Sequence, residues 1–106
     1  MFMDMNSIQA KARAAILKAL AHPTRVLMLD ALSRGDRCVN DLRILASVSQ
    51  PTISHHLEKL KKAGIVTERR AGKKIVHRLA CPCMLEAVNC TLGVIQSVKK
   101  RQSQAT

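Results

Sequence analysis

Four cysteines stand at positions 38, 81, 83 and 90 of a 106-residue chain, and thiolates bind soft metals and metalloids or undergo redox chemistry. The sharpest arrangement is Cys81-Pro82-Cys83, because two thiols framing a proline fit a packed core poorly. With Cys90 they form a Cys-x-Cys-x6-Cys group at the start of a helical pattern, whose amino terminus is expected to lower the pKa of Cys81 and Cys83. Cys90 falls between Ala87 and Val94 and reads more readily as a small buried hydrophobe than as a ligand. Cys38, at a helix start, fits either role. On straight helix Cys83 and Cys90 are separated by about 10.5 Å, too far for a disulfide or a shared metal. Chelation by this group needs Cys81 to Cys83 to fold back over the helix, or Cys38 to join from a second protomer, while a direct Cys81–Cys83 bond closes a strained small ring. His22 and His77 have no second ligand at close spacing and read as structural.

A second constellation suits nucleic acid. Eighteen Lys and Arg against seven Asp and Glu give a formal charge of +11, which attracts polyanions. Residues 59–78 carry Lys59, Lys61, Lys62, Arg69, Arg70, Lys73, Lys74 and Arg78 against Glu68 alone. Phe2 is the sole aromatic residue, so the stacking that holds single strands is lacking and duplex DNA is the favoured partner. No basic amphipathic stretch backed by Trp or Phe favours a membrane surface, and no apolar run is long enough to span one. The start of the chain lacks a basic segment followed by an apolar run, which leads to the expectation of a cytoplasmic protein with reduced thiols. The alternating Met1, Met3 and Met5 read as a frayed terminus rather than thioether ligands.

These groups must be positioned by one small, mainly α domain spanning residues 1–106, with an ordered core over 7–98. Ile8, Ala12, Ala15, Ile16, Ala19 and Leu20 recur with helical spacing from Ser7 to Leu20. Pro23 opens a second helix ending before Gly35, with Val26, Leu27, Leu29 and Leu32 turned to the core. A short third helix opens near Cys38 to Asn40 with Leu42 and Leu45 inward, and Asp41 suits its amino end. Ser49 caps a fourth helix over about 50–63. Its Ile53, Leu57 and Leu60 face inward, Thr52, His55 and Lys59 project opposite, and Gln50, Ser54 and His56 flank them. Two β-branched runs across Ala71-Gly72 predict a hairpin over about 65–79, with Arg69, Arg70, Lys73 and Lys74 at its tip. Leu85, Val88, Leu92, Ile95 and Val98 mark a last helix over about 84–98, and the polar tail from Lys99 reads as frayed. The predicted order is four helices, two strands and a final helix, a winged helix-turn-helix.

In such a fold the fourth helix enters the major groove. Gln50 can bond adenine bidentately, His55 can donate to purine N7 or phosphate, and Thr52 and Ser54 can serve either role. Lys59 and the basic hairpin are placed for phosphates or the flanking minor groove. The plainer alternative is a solvated helix face beside a basic turn.

Residues 17–79 resemble the ArsR/SmtB family of bacterial winged-helix repressors, most specifically in Ala21-His-Pro-Thr-Arg25, Ser49-Gln-Pro-Thr-Ile-Ser-His-His-Leu57, Leu60-Lys-Lys-Ala-Gly-Ile-Val66 and Arg69-Arg-Ala-Gly-Lys73. The resemblance implies a homodimer, paired through the first and last helices, that represses an operator until an inducer binds. Many arsenical and cadmium or lead sensors of the family carry Cys-Val-Cys-Asp-Leu before the recognition helix. Here that run is Cys38-Val-Asn40-Asp-Leu42, with the second thiol replaced. The last helix offers Glu86 but no histidine for the carboxylate and imidazole site of zinc and nickel sensors. Cys81, Cys83 and Cys90 are similar to last-helix thiol sites of members that sense trivalent arsenic or antimony. The resemblance thus implies As(III), Sb(III) or a soft divalent metal as inducer, with no cofactor needed for DNA binding. Persulfide or disulfide sensing would use the same atoms, and a DNA-binding regulator with purely structural cysteines is the remaining alternative. The chain carries no phosphate loop or nucleophile triad, and Cys-Pro-Cys differs from the Cys-x-x-Cys of thiol oxidoreductases, so it reads as no enzyme.

Overall fold

The structure, a computed structural model, describes residues 4–104. Met1 and Met3 lie outside the described residues, and Met5 is exposed. Helix α1 (Ser7–Leu20) starts at a capping box in which the Asn6 and Gln9 side chains each accept from the other's backbone N–H. Helix α2 (Pro23–Ser33) is capped by His22, whose Nδ1 accepts from the Thr24 N–H, and Pro23 occupies its first turn. A two-residue strand β1 (Arg37–Cys38) leads into α3 (Val39–Ala46). Helix α3 ends at Ser47 in the left-handed region (φ 55°), which turns the chain sharply into Ser49, the N-cap of α4 (Gln50–Lys62). Strands β2 (Val66–Ala71) and β3 (Lys74–Leu79) form the wing, and α5 runs from Cys83 to Gln104.

Several expectations are corrected. The sheet has three strands in the order β1-β3-β2, all antiparallel neighbours, because Arg37 pairs with His77 and Cys38 with Val76. The wing turn lies at Gly72-Lys73, one residue later than expected. Gly72 (φ 66°) supplies the positive φ that a two-residue II′ turn needs at its first central position. The expected frayed tail is instead the last part of α5, continuous helix through Gln104.

The core is aliphatic, as an almost aromatic-free sequence requires. Met28, Leu29 and Ala31 of α2, Leu42 of α3, Ile53, Leu57 and Leu60 of α4, and Ile65, Val66 and Leu79 of the wing form one buried cluster. Leu27 and Leu45, expected inside, are exposed, while Met28 and Ala31 take the inward positions on α2. Helix α1 buries only Leu20, and α5 buries no residue completely. Only Met84 and Val88 of α5 pack against the core, and Leu92, Val94 and Ile95 are exposed. The apolar seam of the last helix is therefore largely unused within one protomer.

Candidate nucleic-acid interface and thiol pair

The inner face of α4 is fixed by Ile53 and Leu60, both at 0% exposure, and the opposite face follows from helical periodicity. Gln50, Thr52, Ser54, His55 and Lys59 are all exposed. Thr52 is held at the first turn, where the Ser49 hydroxyl donates to its Oγ1 at 2.8 Å and accepts from its backbone N–H at 3.4 Å. Arg70, Lys73 and Lys74 are exposed on the adjacent wing. Arg69 is exposed too but committed: its guanidinium donates to Asp36 Oδ2 at 3.0 Å, tying the wing to the segment before β1. Lys61, at the end of α4, is held by Glu68 of β2 at 3.1 Å and approaches Glu58 at 3.7 Å. Part of the basic run thus fixes the angle between α4 and the wing, leaving Arg70, Lys73, Lys74 and Arg78 as the wing cations without an ion pair among the described residues.

Two histidines behave differently from their neighbour His55. His56, expected on a flank, is buried under the start of α2, where its ring lies 4.4 Å from that of His22. Arg25 donates from Nε to His56 Nδ1 at 3.0 Å and from Nη1 to the Ala19 carbonyl at 2.9 Å. Burial first, then the nearby His22, Arg25 and His55, lowers the pKa of His56. His77, the partner of Arg37 across the sheet, is held low chiefly by burial, with the Arg37 backbone and Glu68 opposing. Its Nε2 lies 3.5 Å from Glu68 Oε2. Both are structural, as expected for His77. The role of His56 was missed, although its place one residue before the inward Leu57 was the available signal.

The structure separates the four cysteines into one pair and two singletons. Cys81 ends the segment after β3, and Cys83 is the first residue of α5. Their Sγ atoms stand 2.7 Å apart as free thiols, but Cys83 lies within the helix and the pair does not fold back to gather Cys90. Local backbone bonds hold this turn: Met84 N–H donates to Cys81 O and Leu85 N–H to Pro82 O, each at 3.0 Å. The expected lowering of both thiols is corrected for Cys83, whose pKa is raised because it hydrogen-bonds Cys81. Cys90 is exposed rather than buried, which corrects its reading as a core residue. Cys38 caps α3 with Asp41, whose carboxylate accepts from its backbone N–H at 3.4 Å. The Cys38 thiol and then its N–H hold Asp41 below the usual carboxylate range. Asn40, where the second thiol of the family motif would stand, accepts from both Nε and Nη2 of Arg43. Among the described residues no group of three or more His, Cys, Asp or Glu is gathered for a metal ion. Nor, among the described residues, is any helix long and apolar enough to cross a membrane.

Comparison with known proteins agrees with this geometry. The family profile described as "Bacterial regulatory protein, arsR family" matches residues 22–68, from the start of α2 into the wing. The HTH-type transcriptional repressor SmtB of Mycobacterium tuberculosis (strain CDC 1551 / Oshkosh) is 42% identical over 69 residues, which are 65% of this chain and 51% of that one. The match therefore spans about half the length of that relative. The arsenical resistance operon repressor of Staphylococcus xylosus is 38% identical over 87 residues, covering 82% of this chain and 83% of the other. The crystal structure of AntR, an antimony-specific transcriptional repressor, superimposes with a TM-score of 0.75 at 30% identity, over 92% of this chain and 90% of that one. Sequence, fold and the pairing of a polar outward helix with a basic wing converge, and the chain belongs to the ArsR family of bacterial regulatory proteins.

Proposed function

We propose that this chain is a single winged helix-turn-helix domain over residues 1–106, acting in the cytoplasm as a homodimeric repressor of double-stranded operator DNA. Gln50, Thr52, Ser54 and His55 read base edges or adjacent phosphates, and Lys59, Arg70, Lys73 and Lys74 hold the backbone, joined by Arg69 when it exchanges Asp36 for a phosphate. The observation that carries the reading is the outward exposure of the α4 residues beside the wing's cations, on a helix whose opposite face is wholly buried. Dimerisation through α1 and α5 is supported by the exposed Ile8, Leu17, Leu92 and Ile95. A twofold dimer would read an inverted repeat, with half-sites one helical turn or a multiple apart.

The inducer in this reading is a soft metal or metalloid, As(III) or Sb(III) foremost, bound by Cys81 and Cys83. DNA binding itself needs no cofactor. The arsenical and antimony specificities named for two relatives support that class, as does the 2.7 Å sulfur separation. Cys38 and Cys90 stand apart from the pair in the protomer. An inducer releases DNA only if it binds the free form better than the DNA-bound form. The test is operator binding by wild type and a Cys81→Ser/Cys83→Ser variant, using duplexes selected from a random pool, with and without arsenite, Cd(II), Zn(II) or polysulfide. Release of wild type alone supports sensing, release by polysulfide alone selects the oxidative version, and identical curves throughout overturn it.

A further inference from the structure

The wing stands on one side of α4, the side marked by Lys61, which Glu68 of β2 holds at 3.1 Å. Lys59 lies about 200° round the helix from Lys61. There it lines a separate cleft of about 360 Å³ with Ala15, Lys18 and Ala19 of α1 and Arg25 of α2. The two alanines keep the α1 wall low, so the three long cationic side chains have room to converge on one space. No carboxylate lines the cleft, and neither Lys18, Arg25 nor Lys59 forms an ion pair among the described residues. Lys18 and Lys59 are exposed, whereas Arg25 is half-buried and held in place. Its Nε donates to His56 and its Nη1 to the Ala19 carbonyl, which leaves Nη2 without a partner among the described residues. Like charges gathered without a counter-charge repel one another, and an anion between them removes that repulsion.

We propose that this cleft is a phosphate site, occupied in the DNA complex by a backbone phosphate of the operator. The proposal rests on the reading of α4 as the recognition helix and extends its footprint to α1. A helix in the major groove, about 12 Å wide, runs between two phosphate backbones. The wing's cations serve the backbone on one side. The other falls beside Thr52, His55 and Lys59, which recur at helical spacing on the outer face and lead to the cleft. Arg25 presents its remaining nitrogen to a phosphate oxygen, while Lys18 and Lys59 add charge from α1 and α4.

The test measures binding of the full-length chain to a selected operator and to random duplex by fluorescence anisotropy, between about 50 and 200 mM salt. Wild type is compared with Lys18→Ala, Lys18→Arg and, as a control of equal charge, Lys100→Ala on the exposed end of α5. Lys18→Ala is expected to weaken both duplexes about fivefold near about 150 mM salt and to lower the salt slope by about 1. Lys18→Arg and Lys100→Ala should keep the wild-type slope. A neutral methylphosphonate scanned along the operator should find one position per half-site where wild type loses affinity and Lys18→Ala loses less. Lys18→Ala matching wild type on both duplexes overturns the proposal. Calorimetric binding of inorganic phosphate to wild type but not to Lys18→Ala would in that case assign the cleft to a free phosphate instead. A loss in Lys100→Ala equal to that in Lys18→Ala reduces the effect to net charge and overturns the site as well. If Lys73→Ala weakens binding and Lys18→Ala does not, only the extension to α1 fails, whereas unchanged binding in both overturns the interface of α4 and the wing too.

Discussion

Arg25 of α2 donates from Nε to Nδ1 of His56 on α4 across 3.0 Å, joining two helices through a neutral imidazole that must keep its Nδ1 unprotonated. Protonation would replace that hydrogen bond with a cation facing Arg25 and His22. His56 and His77 both have folded pKa values lowered from 6.5. The stability they contribute is present above the unfolded value of 6.5 and is lost as pH falls through the lower folded values. Thermal unfolding followed by circular dichroism should therefore show a falling Tm from pH 7.5 to 5. Replacing His56 by Gln, which can still accept from Arg25, should flatten that slope. An unchanged slope would show that His56 does not titrate in this window.

Leu29 and Leu60, both without exposed surface, anchor α2 and α4 in the core. Leu29→Ala or Leu60→Ala should cost about 2–5 kcal/mol in urea denaturation. In so small a domain that is a large share of the folding free energy.

On the interface, removing a base-reading group should weaken specific binding, whereas removing a phosphate contact should weaken all duplexes alike. Gln50→Ala is expected to lose about 1–3 kcal/mol on the preferred operator and little on random DNA. Lys73→Ala or Lys74→Ala should lower affinity on both and reduce the salt slope by about 1 each. A wild-type affinity that stays flat between about 50 and 200 mM salt would remove the electrostatic argument altogether.

Asp36 restrains the charge of Arg69 on the wing. Asp36→Asn should change stability by less than about 1 kcal/mol, because the pair is exposed, yet should raise affinity for random duplex and steepen its salt dependence. Filter binding across a salt series checks both slopes.

The unused apolar faces of α1 and α5 carry the dimer prediction. Leu92→Glu together with Ile95→Glu should leave the circular dichroism of the fold intact, because neither residue is buried in the protomer. Sedimentation should then report a monomer with weakened operator binding. A dimer of unchanged stability would place the interface elsewhere.

Much of this was legible in the sequence because local signals were strong. The bounds of α1 follow the apolar spacing, Ser49 caps α4 as its chemistry dictates, and Ile53, Leu57 and Leu60 occupy the expected inner face. What was not legible depends on partners distant in sequence. Strand β1 is only two residues long, too short for any alternation to register, and exists because β3 offers it an edge. Leu27 and Leu45 have the composition of core residues but face away from it, since hydrophobicity does not say which of several apolar residues a helix turns inward. Asp36 and Arg69 meet across 33 positions, and no spacing rule reaches that far. At the thiol site the sequence yielded the pair but not its chemistry. A helix start alone argues for a lowered pKa, and only the position of Cys81 reveals the hydrogen bond between the two thiols that raises Cys83 instead.

Strand β3 is bonded on both edges, by β1 and by β2, and it runs from the wing turn to the residue before Ala80 and Cys81. It works mechanically as a connecting rod. Tension applied where α5 begins cannot stay local, because sliding β3 would drag the Cys38 start of α3 on one side and the wing tip on the other. The thiol segment is therefore only two residues of chain from a strand that is hydrogen-bonded both to the start of α3 and to the wing.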